Sequence, residues 1–360
     1  MTQSDMHEAL KASWWFGERT RVGGRFFSDV LLDELARHEV ASSVLLRATA
    51  GFGLAHHLRG DQLLTMSEDP SVLAIAVDRA ERMEALLPEL ADLLPRGMLT
   101  VERARLADLL PDTLPGGLDE AIKLTVHLGR HERIGDRRGH LVVCDLLHAH
   151  GVAGASVLLG VDGTSRGIRE RARFWDRNVD VPAMVVAVGA GEDVARAFGQ
   201  LRALLPAATM TVERVRVCKR DGVLLARPHP LPTHDASGLG LWQKLSVYTS
   251  ESDQHAGQPI HRALVRRLRS GGARGATAVR GVWGYHGDHR PHGDRLLQLG
   301  RRVPVVTFVV DTPDRIEAAF QVIDEVTGER GLVTSEMVPA LRYSGPGTAL
   351  GGVTRARHRY

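Results

Sequence analysis

Three times along the chain, the apolar and polar positions run through the same succession of periods. A segment of alternating character comes first: Ser13-Trp-Trp-Phe16, Leu124-Thr-Val-His-Leu128 and Leu245-Ser-Val-Tyr248. Period-two alternation predicts a half-buried strand. A polar, glycine-bearing loop follows. Then comes a stretch whose apolar residues share one helical face: Phe27, Val30, Leu31 and Leu35 in the first copy, Ile260, Ala263, Leu264 and Leu268 in the third. Gly151 and Gly271-Gly272 mark where this helix stops. A second strand is predicted at Ser43–Leu46, Ala155–Leu159 and Ala276–Val279.

The most apolar run of each copy comes next, at Val72–Val77, Ala183–Val188 and Val305–Val310. These runs do not alternate, so both faces of the strand are expected to be covered. A second helix repeats its apolar positions at i, i+3, i+4 and i+7: Met83, Leu86, Leu87, Leu90, then Val194, Ala197, Phe198, Leu201, then Ile316, Ala319, Phe320, Ile323. Thr312-Pro313 suits the start of the last one. A final strand opens at Thr100-Val-Glu102, Thr211-Val-Glu213 and Thr334-Ser-Glu336.

The copies are in register without gaps. Lys11, Lys123 and Lys244 each stand 36 residues before the loop motif that begins at Arg47, Leu159 or Arg280. This is an internal triplication. The predicted fold class is α+β: three tandem ferredoxin-like units of strand, helix, strand, strand, helix, strand. With helices on one face of each sheet, the other apolar face needs a cover. The sheets are therefore expected to pack face to face about a pseudo-threefold axis, a pseudo-trimer within one polypeptide. The expected boundaries are 9–106, 122–218 and 242–343 for the units, 107–121 and 219–241 for Pro-rich linkers, and 344–360 for a mobile basic tail.

Composition adds little that is specific. Hydrophobic residues make up 43% of the 360, and no apolar run approaches the length of a membrane span. The first ten residues are polar, which argues against a secretory signal and for a cytoplasmic protein with reduced Cys144 and Cys218. The net charge is +3. Basic residues are dispersed among acids without interleaved aromatics, so nucleic acid is not an expected partner. Only four of 46 basic residues are lysine, and three of them occupy the one repeat position.

Several segments carry a resemblance: Gly17-Glu-Arg-Thr-Arg-Val-Gly-Gly-Arg25, Arg47-x-x-x-Gly-Phe-Gly53, Leu63-Leu-Thr-Met-Ser-Glu-Asp-Pro70, Gly257-Gln-Pro-Ile-His261, Arg280-Gly-x-x-Gly-Tyr285 and Asp294-Arg-Leu-Leu-Gln-Leu299. They resemble the PII-like family catalogued as domain of unknown function 190. The first and third copies match nearly throughout. The second keeps the periodicity but lacks the arginine and aromatic of the loop motif. The resemblance implies a relative of the PII signalling proteins, trimers of a ferredoxin-like domain. Those proteins hold nucleotides in clefts between subunits and grip a partner with the loop between the second and third strands. Some relatives of the family occur beside fluoride-export channels, so a membrane transporter or channel is an implied partner, without insertion of this chain into the membrane.

Within that frame the candidate effector-binding residues fall into groups. Arg19, Arg21, Gly23, Gly24 and Arg25 form a loop in which guanidinium groups and backbone N–H groups suit an anion, although the same residues also read as a plain turn. Arg47, Gly51, Phe52 and Gly53, with Arg280, Gly281, Trp283, Gly284 and Tyr285, pair a cation with rings on which a base can stack. Arg103 and Arg105, repeated as Arg214 and Arg216, face one side of the last strand, where the third copy has Met337 and Pro339. Lys11, Lys123 and Lys244 complete the set. Charge-assisted hydrogen bonds contribute about 1.5–3 kcal/mol each, and a micromolar ligand needs about 8 kcal/mol, so three arginines and one ring suffice. An adenine nucleotide is the candidate effector; no other cofactor is called for.

Two patterns read as decoys. Gly163-Thr-Ser-Arg-Gly167 matches a hydrolase nucleophile motif but falls where the other copies have no serine. His286, His289 and His292 are weak metal candidates, with His56-His57 in the first copy. They keep open a metal-binding trimer of the CutA type as an alternative, beside a purely structural adaptor. No triad or carboxylate pair recurs, so an enzyme is not expected.

Overall fold

The computed structural model describes residues 8–53, 59–60, 69–110, 121–172, 180–286, 291–293, 303–345 and 347–358. In the first third, β1 (Ala9–Gly17), α1 (Phe27–Arg37), β2 (Ser42–Phe52), β3 (Ser71–Arg79), α2 (Ala80–Asp92) and β4 (Gly97–Leu106) follow in the expected order. The second third runs through β5 (Ala121–Gly129), α3 (Gly139–Ala149), β6 (Gly154–Leu159), β7 (Asp162–Ser165), β8 (Pro182–Ala190), α4 (Gly191–Leu204) and β9 (Thr209–Arg220). The last third has β10 (Trp242–Ser250), α5 (Ile260–Ser270), β11 (Ala276–Arg280), β12 (Trp283–His286), β13 (Pro304–Asp311), α6 (Pro313–Thr327), β14 (Leu332–Val338), β15 (Ala340–Gly345) and β16 (Thr348–Gly351). Among the described residues no helix is long and apolar enough to cross a membrane.

The architecture corrects the expected fold class. The chain is not three ferredoxin-like α+β units with three sheets face to face. Among the described residues, 20 strands form one sheet, three separate two-stranded ribbons lie outside it, and there are six α-helices. Nine of the sheet's strands close an antiparallel barrel in the order β2, β11, β13, β10, β14, β9, β4, β1, β3 and back to β2. The remaining strands of the second third extend from β9 through β5, β8 and β6 to β12.

The reason lies in strand edges. A free-standing sheet leaves a row of unpaired N–H and C=O groups at each border. Here β2, β4 and β9 are long border strands, and each serves two neighbours. In β2, Ser42–Leu45 pair with β7 and Ala48–Phe52 with β11. The first residues of β6 pair in turn with β12. The last strands repeat the device: β4 meets β15 at one end and β9 at the other, and β9 continues onto β14.

The apolar runs are covered on both faces, one by helices and the other by a core shared among the three thirds. There Leu73, Ile75 and Val77 meet Met184, Val186 and Val188, and Val306 from the last third, in one buried cluster. The outer cores are shared as well. Tyr285 is packed in the core of the second third, while Ala50, Phe52 and Cys218 belong to that of the last.

On the barrel axis, register sets Lys11 opposite Glu102, Lys123 opposite Glu213 and Lys244 opposite Glu336. The ion pairs inside each third span 3.1, 3.1 and 2.9 Å. Each ammonium also hydrogen-bonds the glutamate of another third: Lys11 to Glu213, Lys123 to Glu336 and Lys244 to Glu102. The result is a closed ring of six alternating charges, all buried. Burial alone pushes an ammonium down and a carboxyl up. For Lys123 burial is outweighed by Glu213 and Glu336, which hold it well above the usual lysine range. Glu336 is likewise held well below the carboxylate range, against burial, by Lys123, Lys244 and Lys11.

The linker and tail segments pack too. Lys219 donates to the Asp324 carbonyl at 2.9 Å and the Thr327 hydroxyl at 3.2 Å. The tail, expected to be mobile, instead forms the β15–β16 hairpin and folds back over the first third. Arg103 donates to the Ala356 and His358 carbonyls at 2.6 and 3.1 Å, and Arg355 donates to Glu8 at 2.9 Å.

Removing one member of a buried ion network leaves its partners charged and unpaired. Lys123→Met is therefore expected to cost about 3–5 kcal/mol in urea unfolding, whereas replacing all six ring residues by apolar ones of similar volume costs far less. Glu213 and Glu336 have depressed folded pKa values, so their stabilisation is full above the unfolded value near 4.5 and drains away as pH falls below it. The urea midpoint is expected to drop below about pH 4.5, and less steeply in the six-fold variant.

Candidate functional site: the cleft between the first and last thirds

After β1 the chain turns at Gly17, and the Thr20 N–H donates back to the Gly17 carbonyl at 2.9 Å. A two-residue-a-side ribbon follows, Arg21–Val22 against Arg25–Phe26. Gly23 and Gly24 form its turn with φ of 54° and 83°, a left-handed pair that suits glycine. Arg21 lies over the Phe26 ring, 4.2 Å from its centroid, and donates to the Gly24 carbonyl at 2.7 Å. The Arg19 backbone N–H donates to Asp69 at 2.6 Å.

This loop forms one wall of a cleft of about 370 Å³. Phe52 and Gly53 at the end of β2 and the turn Pro95–Met98 continue that wall. Gly97 is required there: a Cβ on it would stand 2.3 Å from the Trp15 carbonyl oxygen, and its φ is 142°. The last third supplies the facing wall. Arg274 lies over the Trp242 ring at 5.4 Å, and its Nε is 3.3 Å from Asp311. Trp15 meets Phe308 edge to face at 5.4 Å across the junction. Leu341, Tyr343 and Leu350, from the terminal hairpin, complete the lining. The cleft thus combines Arg19, Arg21, Arg96 and Arg274 with several aromatic faces, and Asp69 is its lining carboxylate.

The structure gathers only part of the expected site here. Arg19, Arg21, Phe52 and Gly53 line the cleft. Arg25 turns away to pair with Asp33. Arg47 is paired with Glu18, and Arg280 with Glu251. The second third has Arg130 and Leu159 at these two positions, so both members of the pair are lost together. Gly51 and Gly281 sit where strands from different thirds approach: an added Cβ would lie 2.9 Å from the Ala276 carbonyl and 2.7 Å from that of Val157. Gly284 and Tyr285 belong to β12, paired with the second third, and Tyr285 meets His148 edge to face. Trp283 packs on that same core. Arg103 is engaged with the C-terminal segment, Arg105 and Arg214 are exposed, and Arg216 lies 2.8 Å from His229. Lys11, Lys123 and Lys244 lie in the axial ring.

Sequence reading missed Trp242, Arg274, Arg96 and Tyr343, which carry no motif. The one available signal was that a cleft between repeats must draw on the starts and ends of neighbouring copies. Of the metal candidates, His286 lies 3.8 Å from Asp221, His289 falls outside the described residues, and His292 is in a two-residue strand against β12. The serine of the hydrolase-like pattern, Ser165, ends β7 opposite Ser42, so no nucleophile elbow forms.

A family model described as Uncharacterized ACR, domain of unknown function 190, matches residues 10–106, 121–217 and 242–340. The chain belongs to this family, in three tandem copies. A UPF0166 protein of Aquifex aeolicus is 31% identical over 98 residues, which are 27% of this chain and 90% of that protein. Among solved structures, an unknown protein from Galdieria sulphuraria is 14% identical, covering 61% of this chain and 97% of that one, with a TM-score of 0.17. An anthrone oxidase-like protein is 13% identical, covering 64% and 96%, with a TM-score of 0.19. Neither reaches the level of a shared fold.

Where the first and second thirds meet, an ion cluster occupies the junction. Arg169 reaches Asp29 at 2.8 Å, Asp33 at 2.6 Å and Asp162 at 2.7 Å, and Arg171 shares Asp162 at 2.6 Å. Burial and the two arginines act in opposite directions on Asp29, and the arginines prevail, holding it below the usual range. Arg169→Met is expected to cost about 3 kcal/mol in chemical unfolding, because Asp162 stays buried. Arg47→Ala, which cuts an exposed pair, costs under about 1 kcal/mol in the same measurement.

Proposed function

We propose that this DUF190 protein is a PII-like regulator that binds a small anionic effector bearing a flat ring, with an adenine nucleotide as first candidate, in the cleft between its first and last thirds. The observation that supports this reading is the cleft itself. Its volume of about 370 Å³ is in the range of small-molecule sites. Its guanidinium groups suit phosphate, and the Trp15 and Trp242 side chains on its lining suit contact with a flat ring. The ligand binds without being turned over. Occupancy alters how the protein meets a partner, for which a membrane transporter or channel is the family-based candidate.

The fused chain favours a single specialised site. Its junctions are built from different residues, and the first two thirds meet through Arg169 and its aspartates. Isothermal titration with adenine nucleotides tests the reading. The expected result is micromolar affinity, about −8 kcal/mol, weakened roughly tenfold by Trp242→Ala or Arg96→Ala. Absence of heat with every adenine nucleotide at millimolar concentration would discard the nucleotide.

A further inference from the structure

We propose that the axial cavity beside the lysine–glutamate ring binds one small monovalent anion of the halide class. The cavity is distinct from the cleft, though Trp15 and Phe308 line both, and the proposal does not depend on the cleft's ligand. The cavity measures about 40 Å³ and lies between the ring and a layer formed by Trp15, His127, Tyr248 and Phe308. Lys11, Lys123 and Lys244 all line it, whereas Glu102, Glu213 and Glu336 do not. The carboxylates thus lie behind the ammonium groups, and the cavity meets the positive side of the ring.

Donor bookkeeping points the same way. An ammonium has three N–H groups and no acceptor. Each ring lysine engages two glutamates, so one N–H remains per lysine. The Thr211 hydroxyl lines the cavity, is completely buried and has no hydrogen-bond partner. The Trp15 indole N–H, on another lining residue, is also unpartnered. His127 is neutral, its imidazole pushed down to about 4 by burial and by Lys11, and it lies 3.1 Å from the Ser42 hydroxyl. The three lysine ammonium groups on the lining can only donate, and the unpartnered Thr211 hydroxyl can donate beside them. An anion needs donors alone.

Size selects the class. At about 40 Å³ the cavity has room for a monatomic anion and is far smaller than the cleft of about 370 Å³. Lys11 also gains: burial, with repulsion from Lys123 and Lys244, lowers its pKa against the pull of Glu102 and Glu213. A negative charge beside the ring offsets that repulsion.

Two measurements on the full chain decide the matter. Crystals grown in sodium bromide are expected to show an anomalous peak on the axis within hydrogen-bonding distance of the lysine Nζ atoms. A cavity holding only water, with no such peak, overturns the proposal. In solution, the melting temperature is expected to rise saturably, by about 2 °C or more, in bromide or chloride relative to gluconate at equal ionic strength. Thr211→Val, which keeps the side-chain shape and leaves the ring untouched, is expected to lose that increment. An equal increment in the variant, or none in the parent protein, overturns it as well.

Discussion

The constraint from which this structure follows is that strand borders must find hydrogen-bond partners. Each third has two long outer strands whose backbone groups are not satisfied within that third. Pairing one end of β2, β4 and β9 with one neighbour and the other end with the next joins these borders and closes the barrel. Once the borders are joined, the inner faces of the central strands converge on one axis. Their apolar side chains then pack together, and the charges of the lysine–glutamate layer among them cancel.

That layer shows how the levels of the structure depend on one another. Lysine on the first strand and glutamate on the last are direct cross-strand neighbours, which is a local consequence of register. The reach of each lysine to a second glutamate is a consequence of closure. A chain with the thirds apart would leave each pair half-satisfied in an apolar interior, where an unpaired charge is costly. The ring thus penalises alternative arrangements of the same strands.

Much of this was legible in the sequence. The triplication, the order of elements in each third, the helical faces and the two-sided burial of Val72–Val77 and its counterparts all followed from periodicity. Both halves of the ring were visible as well, Lys11 with its equivalents and Glu102 with its equivalents. What was missing was their register across two strands some 90 residues apart, roughly the length of one unit, which no local pattern encodes. The same limit explains the error over sheet geometry: apolar alternation says that a face is covered, but not whether neighbours meet by faces or by borders. The cleft was half legible. Arg19, Arg21, Phe52 and Gly53 sit in a recognisable loop, whereas Trp242 and Arg274 reach the site only because the last third docks there. Trp283 and Tyr285, attractive as stacking surfaces, are spent on the core of another third.

The pairing of β4 with β15 has a consequence for synthesis on the ribosome. The border of the first third emerges early, yet the residues that cover it, 340–344, are made more than two hundred positions later. Throughout that interval a nascent chain carries an open β-border and an incomplete charge ring, the kind of intermediate that invites pairing with other chains. Closure therefore comes as a late, long-range event, and the slow step of maturation is expected to be the docking of the final hairpin rather than the formation of any single third.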